Sequence, residues 1–277
     1  MAEPVPLEAF FTHGEPRCCA DHGASSPPAP AFSGSTSSIV YLHGPPHAGQ
    51  TALLLQYAFT QAKREQTVVV VMCSGGDAET RHEYVHVSPC LKCGVPMRTG
   101  GDNLALGRIR IKYITNSNEL QQFLCSFHLV EEKSSVLLID GLERFFTADS
   151  FLGNVYQTLA YLYETLLFMQ TSTGSGQVVL TGASDSFILQ RTSRNALRRW
   201  CSFLEIQEDV DGEFIMKEEV EPSEDDGDDE DMDEEVEDQD AKKPTRIQLR
   251  YEYSPPDTRH DGTFRLLDVE TLSPPRS

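Results

Sequence analysis

The residue types most suited to chemistry lie early in the chain, in Gly44-Pro45-Pro46-His47-Ala48-Gly49-Gln50-Thr51. A strand-like run, Ile39-Val40-Tyr41-Leu42, precedes them, and a helical pattern from Gln50 to Arg64 follows. Strand, glycine-bounded loop and helix make the layout of a Walker A phosphate loop. Glycines let backbone N–H groups curl around phosphates, and the helix N-terminus adds its positive end. In that motif a lysine reaches the β- and γ-phosphates and a Ser/Thr hydroxyl holds Mg²⁺. Thr51 is in place, but Gln50 stands where the lysine belongs. An amide donates hydrogen bonds yet cannot neutralise charge developing on a γ-phosphate. A charge-assisted hydrogen bond to phosphate contributes about 1.5–3 kcal/mol, so ATP and Mg²⁺ are expected as weakened ligands. Further on, Val136-Leu137-Leu138-Ile139-Asp140 has the Walker B form, an apolar strand ending in a carboxylate. The nucleotide set is therefore Gly44, Gly49, Gln50, Thr51 and Asp140.

Arg191, Arg194, Arg198 and Arg199 recur at near-helical spacing between two strand-like runs. Cations so grouped suit phosphate contacts with single-stranded DNA, and equally a solvated helix face or a dock for the chain's own acidic run. Arg246 and Arg250, alternating on one strand, are a smaller second group, and no aromatic stacking set accompanies either in sequence. His82, His86, Cys90 and Cys93 have a spacing that a tetrahedral Zn²⁺ could use; they also read as a loop with two thiols and two imidazoles, and no zinc is expected. Phe59 to Ala62 and Phe145 to Ala148 both read Phe-x-x-Ala, a pattern short enough to arise by chance.

These residues need elements to hold them. Thr67 to Met72 is a buried strand by its β-branched run, and Arg108 to Tyr113 alternates like a strand with one wet face. Asn116 with Glu119 marks a helix start, followed by the stripe Leu120, Phe123, Leu124 and Phe127. A long helix begins near Ser150, with Val155, Leu159, Leu162, Leu166 and Met169 on one face. Val178 to Thr181 is a strand, then comes a helix with Phe187, Ile188 and Leu197, then the strand Phe203 to Ile206. Strands alternating with helices predict an α/β P-loop fold, a mostly parallel sheet with helices on both faces. Arg246 to Tyr251 and Thr263 to Val269 predict a C-terminal β-hairpin on the sheet edge.

Composition divides the chain. Residues 1 to 37, rich in Pro, Ser, Ala and Gly, read as a disordered leader; 38 to 216 as the core; 217 to 243 as an acidic disordered segment; and 244 to 277 as hairpin and tail. From Glu218 to Asp240 there are 16 acidic residues and no basic one; taking them from the net charge of −20 leaves −4. The acidity therefore describes one segment and does not exclude nucleic acid as a partner of the rest. The simplest role for that segment is solubility; a sharper one is to mask a basic surface, with Ser223 before Glu224-Asp225-Asp226 as an acidophilic-kinase site. Glu3, Glu8 and Glu15 interrupt any apolar signal region, and no stretch suits a membrane span. Seven scattered cysteines suit a reducing compartment.

Arg108 to Tyr113, then Glu119-Leu120, Leu124-Cys125-Ser126 and His128, then Leu137-Leu138-Ile139-Asp140-Gly141-Leu142-Glu143 resemble the small RecA-like, recombinase-paralogue ATPase of the animal Shu complex. The resemblance runs from about Ile39 to Ile206. It implies a RecA-like fold, a SWIM-type zinc-finger protein as partner, and single-stranded DNA binding. It also implies DNA-stimulated ATP hydrolysis, support of recombinase filaments and their paralogues in homologous-recombination repair, and a nuclear location. Gln50 replaces the family's lysine, and the acidic insert and long leader are unlike its compact members. The water-activating glutamate that RecA-like proteins carry after the second strand has no counterpart in Cys73-Ser74-Gly75-Gly76, with only Asp77 and Glu79 further on. Weak or lost hydrolysis is the expectation.

Overall fold

The structure is a computed structural model that describes residues 10–11, 38–74, 103–130, 133–147, 151–192, 194–210, 212–219, 246–255 and 262–272. β1 (Ile39–Gly44) leads into α1 (Gln50–Lys63) and β2 (Val68–Cys73). The short α2 (Asn103–Leu106), β3 (Ile109–Ile114), α3 (Ser117–Cys125), the short α4 (Phe127–Val130) and β4 (Val136–Asp140) follow. A 3₁₀ turn over Leu142–Phe145 precedes α5 (Leu152–Thr173) and β5 (Gln177–Ala183). The short α6 (Phe187–Arg191) and α7 (Arg194–Arg198) connect to β6 (Ser202–Val210), β7 (Glu213–Glu218), β8 (Arg246–Ser254) and β9 (Thr263–Leu272).

These strands form one sheet of order β3-β2-β4-β5-β1-β6-β7-β8-β9. β1 to β6 pair in parallel, and β6 to β9 continue antiparallel to the edge. Both faces of β1, β2, β4 and β5 are covered, which is why these strands are apolar nearly throughout rather than alternating. Val68, Val70, Leu138 and Val179 pack under α1 and α2, whereas Val69, Val71, Leu137, Ile139 and Leu180 pack under α3 to α7. The α/β architecture, the mostly parallel sheet and the C-terminal hairpin are those expected from the sequence.

Asn116 caps α3 by accepting the Glu119 N–H at 3.1 Å, while a Glu119 carboxylate oxygen accepts the Thr115 N–H at 3.0 Å. The α5 stripe from Val155 to Met169 is buried as its periodicity requires. Three elements differ from expectation. β3 is an edge strand whose Ile111 and Tyr113 are 48% and 61% exposed on one face while Arg110 and Lys112 are exposed on the other, so neither side of its middle packs as a core face. The helix expected to carry both Phe187 and Leu197 is two short helices, because Thr192 closes α6 in an extended conformation. β7 carries no expected strand, yet Gly212, at φ +78°, turns the chain into it, and it joins β6 to the hairpin.

Phe10 and Phe11, inside the stretch read as leader, are buried. Phe10 lies 4.9 Å from the Tyr57 ring on α1, and Phe11 lies 5.1 Å from Tyr251 and 5.4 Å from Phe264 on the hairpin. They fill the corner between the first helix and the antiparallel end of the sheet.

Candidate functional site

β1, β4 and β5 are parallel neighbours, so their C-terminal ends share one edge, the place where open α/β sheets bind ligands. The phosphate loop leaves β1 there. Gly49, in the left-handed conformation at φ +73°, caps α1 without any side-chain hydrogen bond. The first N–H groups of a helix have no partner within it, so these donors face the loop's concavity. A Cβ at Gly49 would come within 2.6 Å of the Tyr253 ring, so only glycine fits this backbone under that aromatic lid. Tyr251, two residues back on β8, donates its hydroxyl to the Ala48 carbonyl at 2.7 Å. The hairpin thus holds the phosphate loop from above.

Thr51 donates its hydroxyl to Asp140 Oδ1 at 2.8 Å, and Thr181, on β5 between them, donates to the same oxygen at 3.1 Å. Thr181 also accepts the Gly141 N–H at 2.8 Å, which fixes the chain leaving β4. Asp140 is 1% exposed, and its Oδ2 takes the Arg144 guanidinium at 3.4 Å. Gln50 turns its amide onto the Pro45 carbonyl of its own loop at 3.0 Å, where it stiffens the loop rather than reaching outward. Glu143 accepts the Ala183 N–H at 3.2 Å, and burial pushes its carboxyl above the usual range. Gly49, Gln50, Thr51, Asp140, Glu143 and Arg144 line one cleft of about 420 Å³.

The donor set suits a nucleotide's phosphates with Mg²⁺ in part. Uncapped helix N–H groups face a Thr–Asp pair of the kind that holds the metal, and the left-handed Gly49 makes the cradle. The lysine's charge is missing from the loop. Of the nucleotide set, the structure brings Gly49, Gln50, Thr51 and Asp140 to the cleft; Gly44, at the end of β1, does not line it, and a Cβ there would lie 2.7 Å from Ile206.

Two solved structures show partial similarity to the chain. It is similar in fold to the RadB recombinase, at 13% identity over 83% of this chain and 90% of that one, with a TM-score of 0.49. A DnaB-like replicative helicase, described with its interactions with primase, matches at 13% identity over 65% of this chain and 51% of that one, with a TM-score of 0.43. No protein-family model and no curated protein matches the chain. At such identity the likeness is one of fold, and no residue's role is carried over from it.

The basic group does not form a single outward face. Arg191 is exposed at the end of α6, and Arg194 opens α7. Arg198 is turned inward, 12% exposed and 3.3 Å from Glu219, whose other oxygen lies 3.6 Å from the buried His43. Arg199 is exposed and borders a surface slot of about 350 Å³ with Tyr156, Tyr163, Ala196 and Trp200. Tyr163 and Trp200 meet edge to face at 6.2 Å. An aromatic set therefore does accompany the arginines. Two of its members come from α5, distant in sequence, which hid it. Arg250 is held by Asp209 at 3.2 Å and Glu213 at 4.0 Å, and so is occupied within the sheet.

His82, His86, Cys90, Cys93, Ser223 and the acidic segment beyond Glu219 lie outside the described residues. Among the described residues no cluster of His, Cys, Asp and Glu could hold a metal, and no helix is long and apolar enough to cross a membrane. Phe59 and Phe145, the first residues of the two Phe-x-x-Ala segments, are core side chains at 4% and 2% exposure. Sequence reasoning missed Thr181, Arg144 and Tyr253. Thr181 had a signal, a hydroxyl ending an apolar strand. Tyr253 had none, because its place over Gly49 depends on long-range pairing.

Proposed function

We propose that the protein is a recombination accessory, a RecA-like subunit whose phosphate site binds nucleotide with little or no hydrolysis. In this reading it works through partners: single-stranded DNA, a SWIM-type zinc-finger protein, and recombinase filaments whose assembly the pair supports in the nucleus. The observation that carries the nucleotide reading is the Thr51–Asp140 hydrogen bond of 2.8 Å beneath an uncapped helix N-terminus, with Gln50 turned back onto its own loop. Mg²⁺, held by Thr51 and Asp140, would supply charge neutralisation to the phosphates. Loop N–H groups orient them, and Tyr253 shields the loop from water. Weak hydrolysis follows from the loop itself: with an amide at Gln50 bonded to Pro45, no loop cation meets the charge that develops on a γ-phosphate.

DNA binding is supported by Arg199 beside Tyr156, Tyr163 and Trp200, since bases stack on aromatics while an arginine meets the backbone phosphate. The partner reading rests on the sequence resemblance. The deciding experiment co-purifies the protein with a SWIM-type zinc-finger protein and measures the pair's affinity for single-stranded DNA, with and without Mg²⁺–ATP, alongside single-turnover hydrolysis. A stable pair that binds DNA and turns over ATP slowly or not at all supports the proposal. Rapid hydrolysis by the protein alone points instead to an active ATPase, and no nucleotide binding at all points to a structural adaptor.

A further inference from the structure

The cleft faces an electrostatic problem. A nucleoside triphosphate brings several negative charges, and the loop offers no lysine to meet them. Asp140 and Glu143 already stand at its edge. Among the described lining residues, Arg144 is the one side chain that is permanently cationic; His47 is the other basic group. We propose that Arg144, on the turn after β4, supplies the phosphate-neutralising cation that Gln50 cannot. The inference rests on the nucleotide-binding reading above and names the residue that makes it workable.

Position is the first argument. The Arg144 guanidinium lies 3.4 Å from Asp140 Oδ2, and Oδ1 of the same carboxylate accepts the Thr51 hydroxyl at 2.8 Å. The cation therefore stands one carboxylate away from the hydroxyl that marks the metal and phosphate position. Availability is the second. Arg144 is 46% exposed, and its contact with Asp140 is long, so the pair is weakly held. A guanidinium has five N–H donors in a planar fork that matches phosphate oxygens. Transfer of some of those donors onto a phosphate exchanges a weak ion pair for a stronger charge-assisted one.

The local backbone is the third argument, because it is shaped to return this side chain to the cleft. Gly141 takes φ +63° immediately after Asp140, and a Cβ there would fall 2.7 Å from Arg144 Cδ and Nε. Leu142 and Phe145 anchor the 3₁₀ turn in the core at 1% and 2% exposure. Between those anchors, Glu143 and Arg144 are left to the cleft. Any side chain at position 141 would push the arginine away.

Isothermal titration of the full chain with Mg²⁺ and ATP, ADP or AMP tests this, using wild type, Arg144→Gln, Arg144→Lys and Gln50→Lys/Arg144→Gln. Arg144→Gln is expected to weaken ATP about tenfold or more, the lower end of what one charge-assisted bond contributes. The loss should shrink from ATP to ADP to AMP. Arg144→Lys should retain part of the affinity, and adding Gln50→Lys to Arg144→Gln should restore it. Equal ATP affinity in wild type and Arg144→Gln would overturn the assignment while leaving the nucleotide reading intact. An equal loss for all three nucleotides also overturns it, since that marks a structural defect. A wild-type protein that binds none of them removes the nucleotide reading and this assignment together.

Discussion

Gln50 and Glu143 show how single residues set what the cleft can do. Gln50 is the residue whose change should add function. Gln50→Lys replaces an amide bonded to Pro45 O with a cation aimed into the cleft. With Arg144 already near, the gain is expected at the low end for a charge-assisted bond, about 1.4 kcal/mol or tenfold in ATP affinity. Titration checks it, and unchanged affinity means the loop does not cradle phosphate. Glu143 makes a prediction about pH. Its folded-state carboxyl lies above the ordinary 4.5, chiefly because it is buried, and its Oε2 has no hydrogen-bond partner among the described residues. The folded protein then binds that proton more tightly than the unfolded chain. Stability from this group is unaffected below the ordinary value and falls as pH rises through the raised one. Glu143→Gln, which cannot ionise, should gain stability over wild type as pH increases from about 4.5 upward. Melting temperatures of both proteins across pH 4 to 9 check this; a pH-independent difference refutes it.

At the level of elements, the start of α1 is held by segments far away in sequence. Phe11 links the N-terminal stretch to Tyr251 and Phe264, and Tyr251 holds Ala48 of the loop. Phe11→Ala should cost about 3–5 kcal/mol, the usual range for emptying a buried aromatic site. Urea denaturation checks it, and an unchanged midpoint means these aromatics do not pack. At the end of α7 two adjacent arginines should behave differently. Arg199→Ala should weaken single-stranded DNA binding and make its salt dependence shallower, because Arg199 borders the aromatic slot. Arg198→Ala should instead lower stability by leaving Glu219 beside His43 without its cation. Identical DNA defects in the two variants would return both to a common basic face. The elements that sequence revealed best were those with strong local signals. α5 has its stripe, α3 its Asn116–Glu119 cap, and β4 its apolar run to Asp140. Local patterns also marked Thr51 and Asp140. They could not show that Tyr253 closes over Gly49 or that Arg198 is neutralised by Glu219, since the first depends on the placement of β8 and the second on the antiparallel pairing of β6 and β7. β3 misled for a related reason: alternation reports a strand, and only its place in the sheet decides whether a face is covered.

At the scale of the whole molecule, charge is divided very unequally, and the division bears on regulation. The 16 acidic residues between Glu218 and Asp240 dominate a net charge of −20. β7 ends at Glu218 and β8 begins at Arg246, and the two strands pair antiparallel with Lys217 opposite Gln248. Both ends of the acidic segment are therefore fixed to neighbouring strands. Glu219 is already seated on Arg198, one residue from Arg199. If the exposed arginines bind DNA as proposed, a polyanion tethered there would act at an effective concentration on the order of mM and compete with DNA phosphates for them. It would also repel incoming DNA. Both effects are screened over about 8 Å at physiological ionic strength. Deleting residues 221 to 240 removes 14 of those acidic residues but keeps Glu219 and its ion pairs, so the fold's own electrostatics are spared. The deleted protein should bind single-stranded DNA more tightly at low salt, and the advantage should shrink as salt rises. Fluorescence anisotropy over a salt series reads both quantities. If the segment serves solubility alone and points away from α7, competition vanishes and only weak long-range repulsion remains. Equal affinity of the two proteins at low salt would remove the masking role and leave solubility as the reason for so much charge.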